Sequence, residues 1–534
     1  MLGPQEQRMS ATTRSPGRRV SRCTLASVGV VTVIEGIPLW VFYTGAALLL
    51  LSGAALPIAW PASAPGPYPT VNLLQFTLVS RALHSRGFRF ATQLLTVCLF
   101  ALVIVAGLFG QQQGGSNIAT VLTWTYWWTL LVVFVMLFGK AWCYMCPWDA
   151  VSSWLERFAA WRVRRGGLSA NIAWPRSLRN LYPAATLFVV LTWLELGYGV
   201  TTRPELTALL GILMFFLTFV PMLIFERSSF CRYGCLVGRI SGLYALFSAL
   251  EVRARDPQLC RSDCTTHDCY HGNENGYPCP TFQYLGGMTK NTYCIYCLEC
   301  LHTCPHDNVA VNLRPLGVDM VKGTQVRFDE AAMVIVMLAM TTFHGLTMTP
   351  VWGTVVTALE HALSLPYLVA FTVGMLGFLG VVASAYLVFI AWSHRIAPVH
   401  DTTCRRLAVR YAYAFLPIAL FAHFAHNAMH FLVEGGAILP VLSDPFGWHW
   451  NLFGTSGMRP GPLLPPSAVW TVMILFILLG QLWSLLTARR ISLQLCGSER
   501  VALRSLAPLV LAMIGYSMLT LWIATQPMQM RTGL

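Results

Sequence analysis

Eight of the sixteen cysteines lie between Cys260 and Cys304, and their order divides them into two runs. The second, Cys294-x2-Cys297-x2-Cys300-x3-Cys304-Pro305, has the spacing that wraps three thiolates around one iron–sulfur cubane and sends the fourth to a neighbour. The first, Cys260-x3-Cys264-x4-Cys269-x9-Cys279-Pro280, is a looser version that also ends in Cys-Pro. Crossed ligation then assigns Cys260, Cys264, Cys269 and Cys304 to one [4Fe-4S] cluster, and Cys279, Cys294, Cys297 and Cys300 to another. Structural zinc prefers ligands in two separated pairs, and a disulfide framework belongs to small secreted domains, so neither fits two four-thiol runs.

Four further cysteines come as pairs, each where an apolar run ends. Lys140-Ala-Trp-Cys143-Tyr-Met-Cys146-Pro147 and Arg227-Ser-Ser-Phe-Cys231-Arg-Tyr-Gly-Cys235-Leu236 share one order: span, basic residue, aromatic, cysteine pair, amphipathic helix. Brought together, these thiols could bind a third cluster or a zinc ion. Kept apart, each pair could cycle between dithiol and disulfide, or be inertly buried.

A third constellation is made of imidazoles. His423, His426, His430 and Glu434 fall within about 80° of one another on a helix, and His344, on a separate apolar run, is placed at the same depth. A lone membrane histidine is commonly a hydrogen-bonded helix contact, but three on one face point to a site. Three chemistries suit it: haem b with His344 and His423 or His430 as axial ligands, a quinol site with Glu434 taking a proton, or a copper or iron site. Glu35 and Glu195 are the other intramembrane carboxylates, read as helix-end or hydrogen-bonded residues before a proton path. The run Trp124-Thr-Tyr126-Trp127-Trp128 reads as an interfacial belt.

These groups must be positioned by membrane helices. Of 534 residues, 55% are hydrophobic and only 11% charged, against about a quarter charged in soluble domains. Apolar stretches of about 20 residues occur near 37–60, 91–110, 118–139, 181–200, 205–225, 329–349, 366–391, 407–432, 466–487 and 505–525, five on each side of the cysteine runs. The expected fold is an all-α polytopic membrane protein with an inserted small ferredoxin-like domain. Its parts are a basic arm (1–36), a five-span domain (37–250), the cysteine domain (251–328) and a second five-span domain (329–534). Residues 66–90 and 351–364 read as interfacial.

The net charge is +14, but 251–328 carries eight acidic and seven basic residues, so the excess lies in the arms and flanking loops. That pattern speaks of membrane orientation, not nucleic acid. Arginines in loops 140–180, 392–406 and 488–504 place those loops and the cysteine domain on one side, the cytoplasmic side of a bacterial inner membrane. Parity then puts the five-arginine N-terminus outside, so either 24–60 makes two short passes or the arm departs from the rule.

From about 90 to 315 the chain resembles the NapH, NosR and CcoG type of membrane-bound polyferredoxin. These have two cysteine-pair motifs, typically Cys-x3-Cys-Pro, at cytoplasmic helix ends, followed by a segment for two [4Fe-4S] clusters. Here Cys143/Cys146 is one residue shorter, and Leu236 replaces the proline after Cys235. The resemblance implies electron transfer linked to quinol oxidation or, for CcoG-type members, copper reduction. The expectation is thus a membrane iron–sulfur oxidoreductase working between the quinone pool, or an outer-face donor, and cytoplasmic clusters, with a redox partner protein. The alternative is a copper- or iron-handling reductase.

Overall fold

A computed structural model describes residues 33–34, 36–59, 68–162, 169–322, 326–397 and 402–530. Most of the N-terminal arm, including its arginines, and Glu35 lie outside these residues. The chain is mostly helical. Among the described residues nine helices are long and apolar enough to cross a membrane, as expected of a multi-pass membrane protein, and each covers one of the predicted stretches. The remaining stretch forms the apolar helix Tyr182–Gly197, which at 16 residues is short for a crossing. Residues 39–59 form one helix; most of 24–38, where the other pass would lie, is outside the described residues.

Burial separates the helices into two kinds. In Phe328–Thr347 and Cys404–Ser443 the most apolar windows are 72% and 83% buried, whereas in the other seven the share is at most 44%. The first two are therefore the interior of the bundle, and their histidines face protein, not lipid. Close approach is secured by small residues: a Cβ at Gly480 would meet the Phe421 Cβ at 2.8 Å, which brings Pro466–Cys496 directly onto Leu416–Glu434.

Strands bracket the cysteine segment. Leu250–Ala254 pairs antiparallel with Val309–Leu313, which also pairs with Val71–Asn72. The stretch expected to be interfacial, 66–90, is thus tied to the cysteine segment. Its extended residues complete this sheet, and Arg89, at the start of the next helix, bonds Glu299 at 2.7 Å and the Cys297 carbonyl at 3.2 Å. The stretch 351–364 is the helix Pro350–Leu363, with Trp352 and Val356 buried. The sheet is locked by buried charge: Arg314 reaches Glu251 at 3.0 Å and Asp319 at 2.6 Å.

The two cysteine-pair motifs dock onto the segment through glycines. Gly139 has φ +60°, and a Cβ there would lie 2.7 Å from the Tyr296 hydroxyl; a Cβ at Gly242 would lie 2.3 Å from the Thr292 carbonyl oxygen. The end of the bundle that meets the segment is called the cysteine end below. The helices Phe328–Thr347 and Leu416–Glu434 both run away from it, since Lys290 pairs with Glu330 at the start of the first and lies 6.0 Å from the Tyr413 ring just before the second.

Candidate functional site

Within the cysteine segment, thiols of the two runs lie close to one another. Asn308 donates its side-chain N–H to Cys260 Sγ at 3.2 Å and its backbone N–H to Cys304 Sγ at 3.3 Å, joining the first cysteine of one run to the last of the other. Cys279, Cys294, Cys297 and Cys300 line one small cavity with Cys269. Burial pushes the Cys294 thiol up to about 12 and Cys269 up to about 11, with Cys297 and Cys300 well above the usual range. Thiols so placed are stable as neutral groups unless a metal centre takes the charge. The backbone around them is strained: Phe282, Tyr296, Leu298 and Asp307 have φ between +47° and +59°. Such conformations cost about 1–2 kcal/mol each and persist where surroundings over-determine them.

The two pairs also converge. Cys231 is destabilised as a thiolate first by burial and then by Asp149, Cys235, Cys146 and Cys143, so the four thiols lie within electrostatic range of one another. The repeat is structural as well as sequential, because Cys146 and Cys235 each precede a helix and each sulfur accepts the amide N–H three residues on, from Asp149 and from Gly238. Beside them are two cations with no exposure, Lys140 and Arg239. Among the described residues neither the ammonium nor any guanidinium nitrogen of Arg239 finds a hydrogen-bond partner. Lys140, the first residue of the loop 140–180, is not a solvated loop charge: it is fully buried next to Cys143, Cys235 and Cys294.

Two buried cations with no ion-pair partner among the described residues suit a negatively charged group held by the thiolates. Among the described residues, no three His, Cys, Asp or Glu side chains converge closely enough to hold a single metal ion.

Next to the pairs is a cavity of about 390 Å³ that sequence reasoning missed. Trp142, Met145 and Pro147 line it beside the first pair, Leu236 and Val237 beside the second. Glu195 and His344 are its one carboxylate and one imidazole among the described residues. The residues expected as an aromatic belt, Trp124, Tyr126, Trp127 and Trp128, line this cavity, the first three on a π-helical stretch over Val121–Trp127 and Trp128 at the start of the helix that follows. π-turns are rare and concentrate at functional sites. Trp127, Trp142 and Trp148 all line the cavity and pack on one another, with Trp127 5.6 and 6.0 Å from the other two. Their three indole N–H groups find no hydrogen-bond partner among the described residues.

The histidines form a file, not a cage. His344 Nε2 lies 3.3 Å from Glu195 Oε2, and its Nδ1 lies 2.8 Å from the Met340 carbonyl oxygen. Its ring touches His426 at 6.1 Å, His426 touches His430 at 5.0 Å, and His430 Nδ1 lies 2.9 Å from Glu434 Oε2. His423 points elsewhere, to Tyr244 and Trp128. With both nitrogens of His344 engaged and the rings in edge contact, the set fits axial haem ligation poorly. Glu434, the expected proton acceptor, does not line the cavity; Glu195 does. No family model, curated protein or solved structure matches the chain.

Proposed function

We propose that the protein is a membrane iron–sulfur oxidoreductase that exchanges electrons between a lipid-soluble quinol in the tryptophan-lined cavity and two [4Fe-4S] clusters in the cysteine segment. The orphaned indole donors carry this reading. A buried donor left unmade costs about 1–3 kcal/mol, and a quinone offers two carbonyl acceptors on a flat apolar ring that suits an aromatic wall. A carboxylate–imidazole pair at the same cavity supplies the proton acceptor that quinol oxidation requires. Neighbours of both cysteine pairs line the cavity, and Gly139 and Gly242 beside them meet the segment, which supports reading the pairs as the station between the two.

Cys260, Cys264, Cys269 and Cys304 would hold one cluster, Cys279, Cys294, Cys297 and Cys300 the second, and Cys143, Cys146, Cys231 and Cys235 a third. Bound clusters would supply one-electron carriers. The residues around them do the rest: Lys140 and Arg239 offset the anionic charge, Asn308 steadies Cys260 and Cys304, and the tryptophans orient the quinol ring and exclude water. The cysteine end would face the cytoplasm, where a redox partner protein would dock.

The test is anaerobic addition of duroquinol to the oxidised protein, followed by low-temperature EPR. Reduced-cluster signals should appear, and Glu195→Gln should slow their appearance at least tenfold. Signals obtained with dithionite but never with quinol would refute the reading.

A further inference from the structure

The histidine file touches the cavity only at His344, and that limits what it can do. The Met340 carbonyl only accepts hydrogen bonds, so His344 Nδ1 carries a proton. His344 Nε2 and Glu195 Oε2, 3.3 Å apart, then share a single proton between them. A proton arriving from the cavity leaves both groups protonated, and the excess must move on. The rings next along are His426, 6.1 Å from His344 between centroids, and His430, a further 5.0 Å, before Glu434, so passage onward requires the His344 ring to turn from the Met340 carbonyl toward His426 and the rings to hand the proton on in the same way. From His426 to Glu434 is eight residues of helix, about 12 Å at 1.5 Å per residue. That helix runs away from the cysteine end. Beyond Glu434, Gly435 and Gly436 pack against Leu463 and Pro460 of the loop 444–465, whose Gly461 is exposed.

We infer that Glu195, His344, His426, His430 and Glu434 form a proton relay that opens at the end of the bundle opposite the cysteines. Ionisable groups inside a membrane protein are costly and mark such relays when they run in contact. The inference rests on the quinol reading and adds a direction. Quinol loses two electrons and two protons; the electrons leave toward the cysteine pairs, one at a time, and the protons leave along the histidine file. Oxidation of one quinol by two equivalents of a one-electron acceptor at the cysteine end would thus separate charge across the membrane. His423, held by Tyr244 and Trp128 one turn nearer the cysteine end, is outside the relay.

The experiment uses the intact, cluster-loaded protein in liposomes with pyranine trapped in the lumen. Ferricyanide, which does not cross the bilayer, is added outside with duroquinol, so only molecules with the cysteine end outward turn over. The potential is dissipated with valinomycin and potassium, and protein-free liposomes correct for direct reaction. The relay predicts that about two protons appear in the lumen for each quinol oxidised. His426→Leu and, as a second point on the file, Glu434→Gln should each lower lumenal release at least tenfold while dithionite still reduces the clusters. Quinol oxidation with the lumen unchanged, both protons appearing outside, would overturn the relay and leave the electron reading standing. No quinol-dependent ferricyanide reduction at all would overturn both.

Discussion

Arg239 is the residue whose replacement tests the four-thiol station most directly. Its guanidinium has no exposure, stacks 4.9 Å from the Tyr293 ring and has no hydrogen-bond partner among the described residues. Burial pulls its pKa down, and Tyr293, Cys235, Cys143 and Cys231 work against that. If those thiols were permanently neutral, Arg239 would be an unpaired buried charge. Its replacement by the similarly shaped, uncharged Met would then stabilise the fold by about 1–4 kcal/mol. If they hold an anionic cluster, the sign reverses. One unit charge at about 5 Å with an effective dielectric near 20 contributes about 3 kcal/mol, so Arg239→Met should weaken retention of the cluster on the order of a hundredfold. Iron and acid-labile sulfide give the readout: roughly twelve irons per chain should fall to roughly eight, with the EPR signals of two clusters kept. Thermal unfolding of the loaded protein should move down, and Arg239→Lys, which keeps the charge, should restore most of the iron. Unchanged iron together with a raised unfolding temperature would show that the cation pairs with nothing, and the station would lose its argument.

Two substitutions probe the rest of the proposed electron path. Asn308→Ala removes the side-chain donor to Cys260 Sγ while leaving the backbone bond to Cys304. It should perturb the EPR signal of the Cys260 group alone and lower its reduction potential, since a hydrogen bond to sulfur stabilises the reduced, more negative cluster; a change confined to the Cys294 group would contradict the crossed assignment. Gly242→Val forces a Cβ to 2.3 Å from the Thr292 carbonyl oxygen, a backbone atom that cannot rotate aside. Overpacking of this kind costs about 1–3 kcal/mol, and loosened docking should expose the segment to limited proteolysis and slow quinol-dependent cluster reduction, whereas wild-type resistance and rate would mean the contact is not what seats the segment.

What the sequence revealed and what it hid follow from the range of each constraint. A crossing needs about 20 consecutive apolar residues, a local property, so all ten stretches were legible, and even the short one at 182–197 was found in place. Cluster-type cysteine spacing is local too, as is the repeated order around Cys143 and Cys231. The cavity is not local. Its wall is assembled from Thr96–Val103, the stretch from Leu122 to Trp148, the helix bearing Phe188 and Glu195, Thr207–Met214, Leu236–Val237 and His344, and no single window of sequence contains it. The cavity-facing side of the tryptophan run was not legible because composition alone does not distinguish a ring facing lipid headgroups from one facing a cavity, and a π-turn leaves no periodic trace. The helical wheel correctly gathered His426, His430 and Glu434 onto one face, but a wheel says nothing of which neighbour that face meets. Two signals were nonetheless present. Glu195 and His344 are each an ionisable residue within an apolar run, and the cost of burying either alone predicts that they pair. Lys140 lies three residues before one cysteine pair and Arg239 four residues after the other, an arrangement that orientation counting treats as loop charge but that electrostatics reads as two cations brought to the same thiols. Charge placed next to a candidate ligand is therefore better assigned to the ligand before it is counted toward topology.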